Sequence, residues 1–260
     1  MNLSRIQAIF LRYFYVLLKG PQQLSDLFYW PLIDILLWGL TSFWVASQNV
    51  EANFPLLLMT GLILWQITWR GSVDISVSLV QEFWHRNLVN LFSSPLKLSE
   101  WGIGVALFSL CKFCITVTFG YLVVYGFYGL NVLSVGWFFV PFAAILLLFG
   151  WTLGLLSSSV IIYWGHQLEA LAWMVGYLFA PFSAVFYPVA ILPSWAQYIS
   201  WCLPSTYIFE GMRQILRGQD FPVSYFWISG SLALIYFFLA VCLFHFSFER
   251  SRLKGLGRVE

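Results

Sequence analysis

Over most of this chain the hydrophobic positions neither alternate nor recur at intervals; they run on. From Phe113 to Gly165 there is no Asp, Glu, Lys or Arg. That is too long for one membrane crossing, which needs about 20 apolar residues. The segment "YGFYGLN", Tyr125 to Asn131, supplies the Gly/Asn turn that divides it. Outward from that turn the apolar runs predict six spans. They are 27–46, 52–69 continuing towards Val77, 102 to the turn, 135–163, 168–186 with a bend at Pro181, and 225–246. A transmembrane β-barrel would alternate in segments of about ten residues. The expected fold class is all-α integral membrane, one transmembrane domain over 1–260.

Three stretches break the apolar pattern. In residues 1–25, Arg5, Arg12 and Lys19 are spaced by seven and make one basic stripe on a helix. Ile6, Phe10, Tyr13, Phe14 and Leu17 fall on the other side, which suits an amphipathic helix lying in the membrane interface. Gly20-Pro21 should end it.

The second stretch is the loop 78–98 between spans two and three. There Val80, Phe83, Trp84, Leu88 and Leu91 share one helical face, while Glu82, His85, Arg86 and Val89 point the other way. Ser93-Ser94-Pro95 should stop this helix. On residues alone it is either a connector or a dock for a soluble partner. The third stretch is 187–224, which Pro188, Pro193 and Pro204 cut into pieces too short to span. Helices are expected at 194–202 and 206–216, with Ile208, Met212 and Ile215 on one face and Arg213 and Arg217 on another. Short apolar helices that return to one leaflet make a re-entrant hairpin, which must pack on protein or a cavity.

Composition agrees with the pattern. The chain is 60% hydrophobic and 9% charged, against about 25% charged for a soluble domain. Its mean hydropathy is +0.81. The net charge of +2 gives no reason to expect a nucleic-acid partner. The placement of charge says more. Arg5, Arg12 and Lys19 precede span one; Arg70, Arg86 and Lys97 lie between spans two and three; Arg250, Arg252, Lys254 and Arg258 follow span six. The one-two and three-four connections have no Lys or Arg. By the positive-inside rule both termini and the 78–98 loop are cytoplasmic, and the hairpin before span six is external.

Few residues could carry chemistry. Asp34 lies in span one, where an unpaired carboxylate costs about 2.5–3.5 kcal/mol on insertion scales; Arg70 and Lys112 are its candidate partners. A Cys111-x-x-Cys114 pair in an apolar span reads as packing. His166 and Glu169 are three apart but lack further metal ligands. An integral-membrane enzyme acting on lipid or isoprenoid substrates would need converging acids, histidines or thiols, and the three histidines are scattered. A secondary transporter would favour paired intramembrane acids and matching halves, which the chain does not display.

Two segments resemble a known family. "EFWHRNLVNLFSSPLKLSEW" resembles the cytoplasmic loop of the permease subunit of type-2 ATP-binding-cassette exporters. "FYPVAILPSWAQYISWCLPSTYIFEGMRQIL" resembles that family's segment before the last span: a Tyr-Pro, a Leu-Pro, a third proline followed closely by an aromatic residue, then Glu210 and Arg213. With the six-span layout the resemblance covers nearly the whole chain. It implies a multi-pass protein of a bacterial inner membrane that works as a dimer, most simply of two identical copies. It implies a separate cytoplasmic ATPase subunit, docked at Gln81, Glu82, Phe83, Trp84, His85, Arg86 and Asn87. No Gly-Lys pair occurs in the sequence, so a phosphate-cradling P-loop is excluded. No cofactor is expected on this chain, ATP and magnesium belonging to the partner. The implied cargo is amphipathic: lipid-like, drug-like or glycan-linked. Aromatic residues make up 20% of the chain, and rings of this kind form interfacial belts or stack on sugars.

Overall fold

The continuous apolar runs become helices because only a helix satisfies every backbone N–H and C=O within one segment. A computed structural model describes residues 1–48 and 53–255, and every regular element in it is helical. Ten α-helices follow in order: α1 (Leu3–Lys19), α2 (Pro21–Ala46), α3 (Phe54–Trp84), α4 (Leu88–Ser93), α5 (Leu98–Tyr128), α6 (Phe139–Trp164), α7 (Leu171–Phe179), α8 (Ser194–Trp201), α9 (Pro204–Leu216) and α10 (Val223–Lys254). The expected start of span two at Ala52 and the tail cation Arg258 lie outside the described residues.

Among the described residues, four stretches are long and apolar enough to cross a membrane: Gln23–Ala46, Leu98–Tyr128, Val132–Trp164 and Val223–Lys254. They lie in α2, α5, α6 with the 3-10 turn before it, and α10. The turn expected at 125–131 is where α5 stops, with Gly129 at φ 65, a left-handed conformation that glycine adopts at little cost.

The centre of the molecule is α3, which packs against α2, α5, α6, α7 and α9. It has 31 residues, about 46 Å at 1.5 Å per residue, but it is less apolar than the four spans. Gln66, Arg70, Asp74 and Glu82 all lie on it, and all are buried. Spaced by four and eight, they make a polar stripe along one side of a helix surrounded by protein, so each has to meet a partner on a neighbouring helix.

Helix α6 lies closest to it. A Cβ added at Gly150 would sit 2.4 Å from the Thr68 carbonyl oxygen, and one at Gly154 would sit 2.6 Å from that of Ser72. Two glycines one turn apart let the backbones approach, the small-xxx-small device of membrane helices. Gly150→Ala is therefore expected to destabilise by about 1–3 kcal/mol through overpacking, despite the helix propensity it gains. At Gly102 an added Cβ meets nothing within 4 Å. Gly102→Ala should be neutral or stabilising by up to about 1 kcal/mol. Thermal unfolding of both variants in detergent checks the difference in sign.

The fifth expected span, 168–186, is not one helix. Its α-helix is the nine residues of α7, about 14 Å long, and falls short of a hydrocarbon core of about 30 Å. Pro181 sits in a 3-10 turn, Ala180–Phe182, and Ala184 at φ 55 turns the chain away. Pro181 lacks an N–H and Ala184 is in a conformation a helix cannot use. Beyond it, α8 and α9 form where the sequence predicted helices. Met212 and Ile208 are buried as expected, but so is Arg213, at 5% exposure. It pairs with Glu210 at 3.0 Å, and Glu210 also accepts the Val189 N–H at 2.7 Å. This clamp holds the proline-cut loop onto α9.

Candidate functional site

The loop between α3 and α5 is an elbow of two helices, not the single helix predicted. Helix α3 ends at Trp84. The Asn87 N–H then reaches back to the Glu82 carbonyl, and the Arg86 N–H to that of Phe83, both at 2.9 Å. This paired return is a Schellman ending, in which the turning residue is left-handed and usually glycine. Here it is Arg86, at φ 48. The chain then re-enters α4, buries Leu88, and stops at Ser94-Pro95 as the sequence indicates.

The elbow's inner side is tied to α1. Glu82, predicted on the outward face, is only 1% exposed. Its carboxylate accepts from Arg12 Nη2 at 2.8 Å, the Tyr13 hydroxyl at 2.7 Å and Asn87 Nδ2 at 2.9 Å. Burial, and then the Glu82 charge, push the Tyr13 phenol well above its usual value, so it stays a proton donor. Trp101 Nε1 donates to the same hydroxyl at 3.2 Å.

At the elbow's far end the Glu100 carboxylate accepts the Asn2 N–H at 2.7 Å and the Lys97 N–H at 3.1 Å, and pairs with Arg5 at 3.4 Å. Arg5 also reaches the Pro95 carbonyl oxygen. The basic stripe of α1 therefore borders its buried face instead of opposing it. Two of its three cations meet acids of the elbow. The expectation of headgroup contact along the whole stripe is corrected to that extent.

A third tie runs to α7. Trp84 Nε1 donates to Glu169 at 2.8 Å, and its ring stacks on Trp173 at 6.0 Å between centroids. Of the seven residues predicted for docking, Trp84, His85 and Arg86 are exposed, Gln81 and Asn87 are half-buried, and Glu82 and Phe83 are buried. The exposed tip is small and bears one permanent cation. The residues behind it lock it to α1 and α7.

Above the elbow a cavity of about 540 Å³ opens between α2, α3, α5 and α7. Its charged wall consists of Asp26, Asp34, Arg70, Asp74 and Lys112, and Trp30, Trp69, Trp173 and Tyr177 bring rings to it. The three predicted intramembrane charges converge here, but their pairing differs from expectation. Asp34 meets neither cation and accepts from Gln66 Nε2 at 2.7 Å. Lys112 pairs with Asp74, which also accepts from the Ser109 hydroxyl at 3.2 Å. Arg70 donates to the Asp26 carbonyl oxygen at 3.0 Å and lies 5.5 Å from the Trp69 ring centroid; its Nε meets no partner among the described residues.

Sequence reasoning passed over Asp74 and Tyr13. The signal for Asp74 was its place one turn after Arg70, with Ser109 and Lys112 on one face of α5. Tyr13 was assigned to an apolar face, and nothing in the sequence ties it to Glu82, 69 residues away.

A family model described as ABC-2 type transporter matches residues 5–216. That stretch holds most of α1, the elbow, the cavity and the Glu210–Arg213 clamp. No curated protein matches the sequence.

Proposed function

The chain belongs to the ABC-2 type transporter family as a membrane permease, and on that premise we propose that it forms half of an export route driven by a separate ATPase. Two copies, most simply identical, stand side by side in a bacterial inner membrane. Both termini and the elbow face the cytoplasm, where the basic residues collect. Helix α3 crosses with the four more apolar stretches. The α7 segment rises from the cytoplasmic side beside the elbow, and the α8–α9 hairpin completes the outer leaflet, each packed on protein so that its broken backbone is tolerated.

The observation that carries the reading is the elbow. Its exposed tip, Trp84 to Arg86, joins directly onto the buried α3. The ATPase binds this tip. Closure on ATP displaces it, and three ties carry the displacement: Glu82 to α1, Glu100 to α1, and Trp84 to α7. Helix α3 carries it inward as a rod, because Arg70 and Asp74 on the same helix line the cavity. This chain moves no covalent bonds; its residues bind, orient and transmit.

The cavity is the cargo route. Asp26 and Asp34 border it on α2, and carboxylates facing lipid are costly. A second copy covering that side removes the cost. Rings beside charges suit an amphipathic cargo, lipid-like, drug-like or glycan-linked, with a polar portion that stacks or hydrogen-bonds on Trp30, Trp69 and Tyr177.

The test is co-purification from mild detergent followed by an ATPase assay. A soluble partner bearing a Gly-Lys-Ser/Thr loop should come with the tagged chain and hydrolyse ATP, and it should be lost when Trp84, His85 and Arg86 are all replaced. A chain that purifies with no nucleotide hydrolysis in any fraction would sink the proposal and return the elbow to a plain connector.

A further inference from the structure

A second and larger cavity, about 810 Å³, opens between α5 and α10 on a different face from the polar one. The two helices meet where Trp101 and Phe244 lie 6.1 Å apart, and Ile75, Trp151 and Leu155 close it behind. Along its length Ile103, Leu107, Leu110 and Val241 line it and stay 38–44% exposed. From Leu98 to Leu110 the groove follows α5 for about 18 Å. One end differs from the rest. Lys97, His245, Glu249 and Arg252 gather there. Glu249 pairs with Arg252 at 3.1 Å, but both are exposed, so the pair is weak and Arg252 can meet another anion.

We infer that this groove holds one membrane lipid with an anionic phosphate headgroup. Its acyl chain lies along Ile103 to Leu110, and its phosphate sits against Lys97 and Arg252. Both walls belong to stretches long and apolar enough to cross the membrane, so the groove faces hydrocarbon, not water. A basic pocket between such helices, at the end where cations collect, is built for an acidic lipid head. A second copy of the chain fits less well. Copies in one membrane share an orientation, so a symmetric pairing through this face would set Lys97 and Arg252 beside their own kind at the same depth. The lipid head would lie next to α4, because Phe92 lines the groove and packs on Phe248 at 4.6 Å. This inference needs the membrane setting but not the ATPase, and it can fail or hold apart from the export reading.

The purified chain, in mild detergent with equal phosphatidylglycerol and phosphatidylcholine, is examined by native mass spectrometry. The wild type should retain phosphatidylglycerol with a preference of roughly tenfold. Lys97→Ala with Arg252→Ala should level the two lipids. Leu107→Trp, which fills the groove, should lower retention of both. Equal retention by the wild type, or an unchanged preference in the double variant, overturns the inference. So does a Leu107→Trp protein that loses its dimer yet keeps its phosphatidylglycerol, since the groove would then be an interface between copies. Should Leu107→Trp fail to fold, the double variant, altered only at exposed side chains, still decides.

Discussion

Lys112→Met should cost the fold about 3–5 kcal/mol, because it leaves a buried carboxylate without its cation. The Asp74 side chain is 0% exposed and that of Lys112 is 15% exposed. Without the ammonium, Asp74 keeps the Ser109 hydroxyl and little else. That hydroxyl accepts from Trp151 Nε1 at 3.1 Å, so the disturbance should pass from α3 and α5 into α6. The double variant Lys112→Met with Asp74→Asn should recover most of the loss. Replacing a buried ion pair by neutral groups of similar size is often close to neutral, and Asn can still accept from Ser109. Size-exclusion profiles and thermal unfolding in detergent measure all three proteins. If the single variant is as stable as the wild type, the cavity wall is wet and the pair is not desolvated.

The largest effect on transport should come from the elbow, and two substitutions there separate holding from docking. Arg86→Gly removes the exposed guanidinium and relieves a left-handed backbone, whose cost for a residue with a Cβ is about 1–2 kcal/mol. The variant should therefore be at least as stable as the wild type. Its cargo-stimulated ATPase rate should nevertheless fall about tenfold or more, the equivalent of one lost charge-assisted contact. Glu82→Gln acts behind the tip. It keeps the shape but removes the charge that Arg12, Tyr13 and Asn87 converge on. Arg12 is 37% exposed and solvent screens its share, so the expected cost is about 2 kcal/mol. Coupling should fall together with stability. Equal behaviour of the two variants in both assays would remove the distinction between an exposed tip that docks and a buried residue that positions it.

What could be read from the chain and what could not divide along physical lines. Helix existence was legible because a long apolar run in lipid has only one economical backbone. Helices α2, α5, α6 and α10 therefore lie close to their predicted places. The Gly20-Pro21 stop, the end of α5 at Gly129 and the helices α8 and α9 were legible too, since each depends on local backbone chemistry. The fifth expected span was misjudged for a related reason. Its composition is apolar enough, but Pro181, and Ala184 in a left-handed turn, break the hydrogen-bond ladder.

The site was only half legible. The charged residues of the 78–98 loop and the three intramembrane charges stood out in an oily chain. Their partners did not. Asp34 was assigned a cation and took an amide; Lys112 was assigned Asp34 and took Asp74. Glu82 was read as outward because its neighbours on the helical wheel are polar, and α1 covers it.

By itself the sequence determined the membrane class, the long apolar helices and the residues that stop several of them, and the lack of any Gly-Lys pair. These depend on residues near one another in the chain, or on totals. Only the tertiary structure decided which acid meets which base, that Arg86 turns an elbow instead of riding on a helix, and that α1 straps the elbow from both ends. Such pairings join residues 38 to 98 positions apart. They are selected by which helices pack together, and glycines mark the close approaches: Gly104 of α5 lies against Ile9 of α1, and Gly120 of α5 against Ile63 of α3.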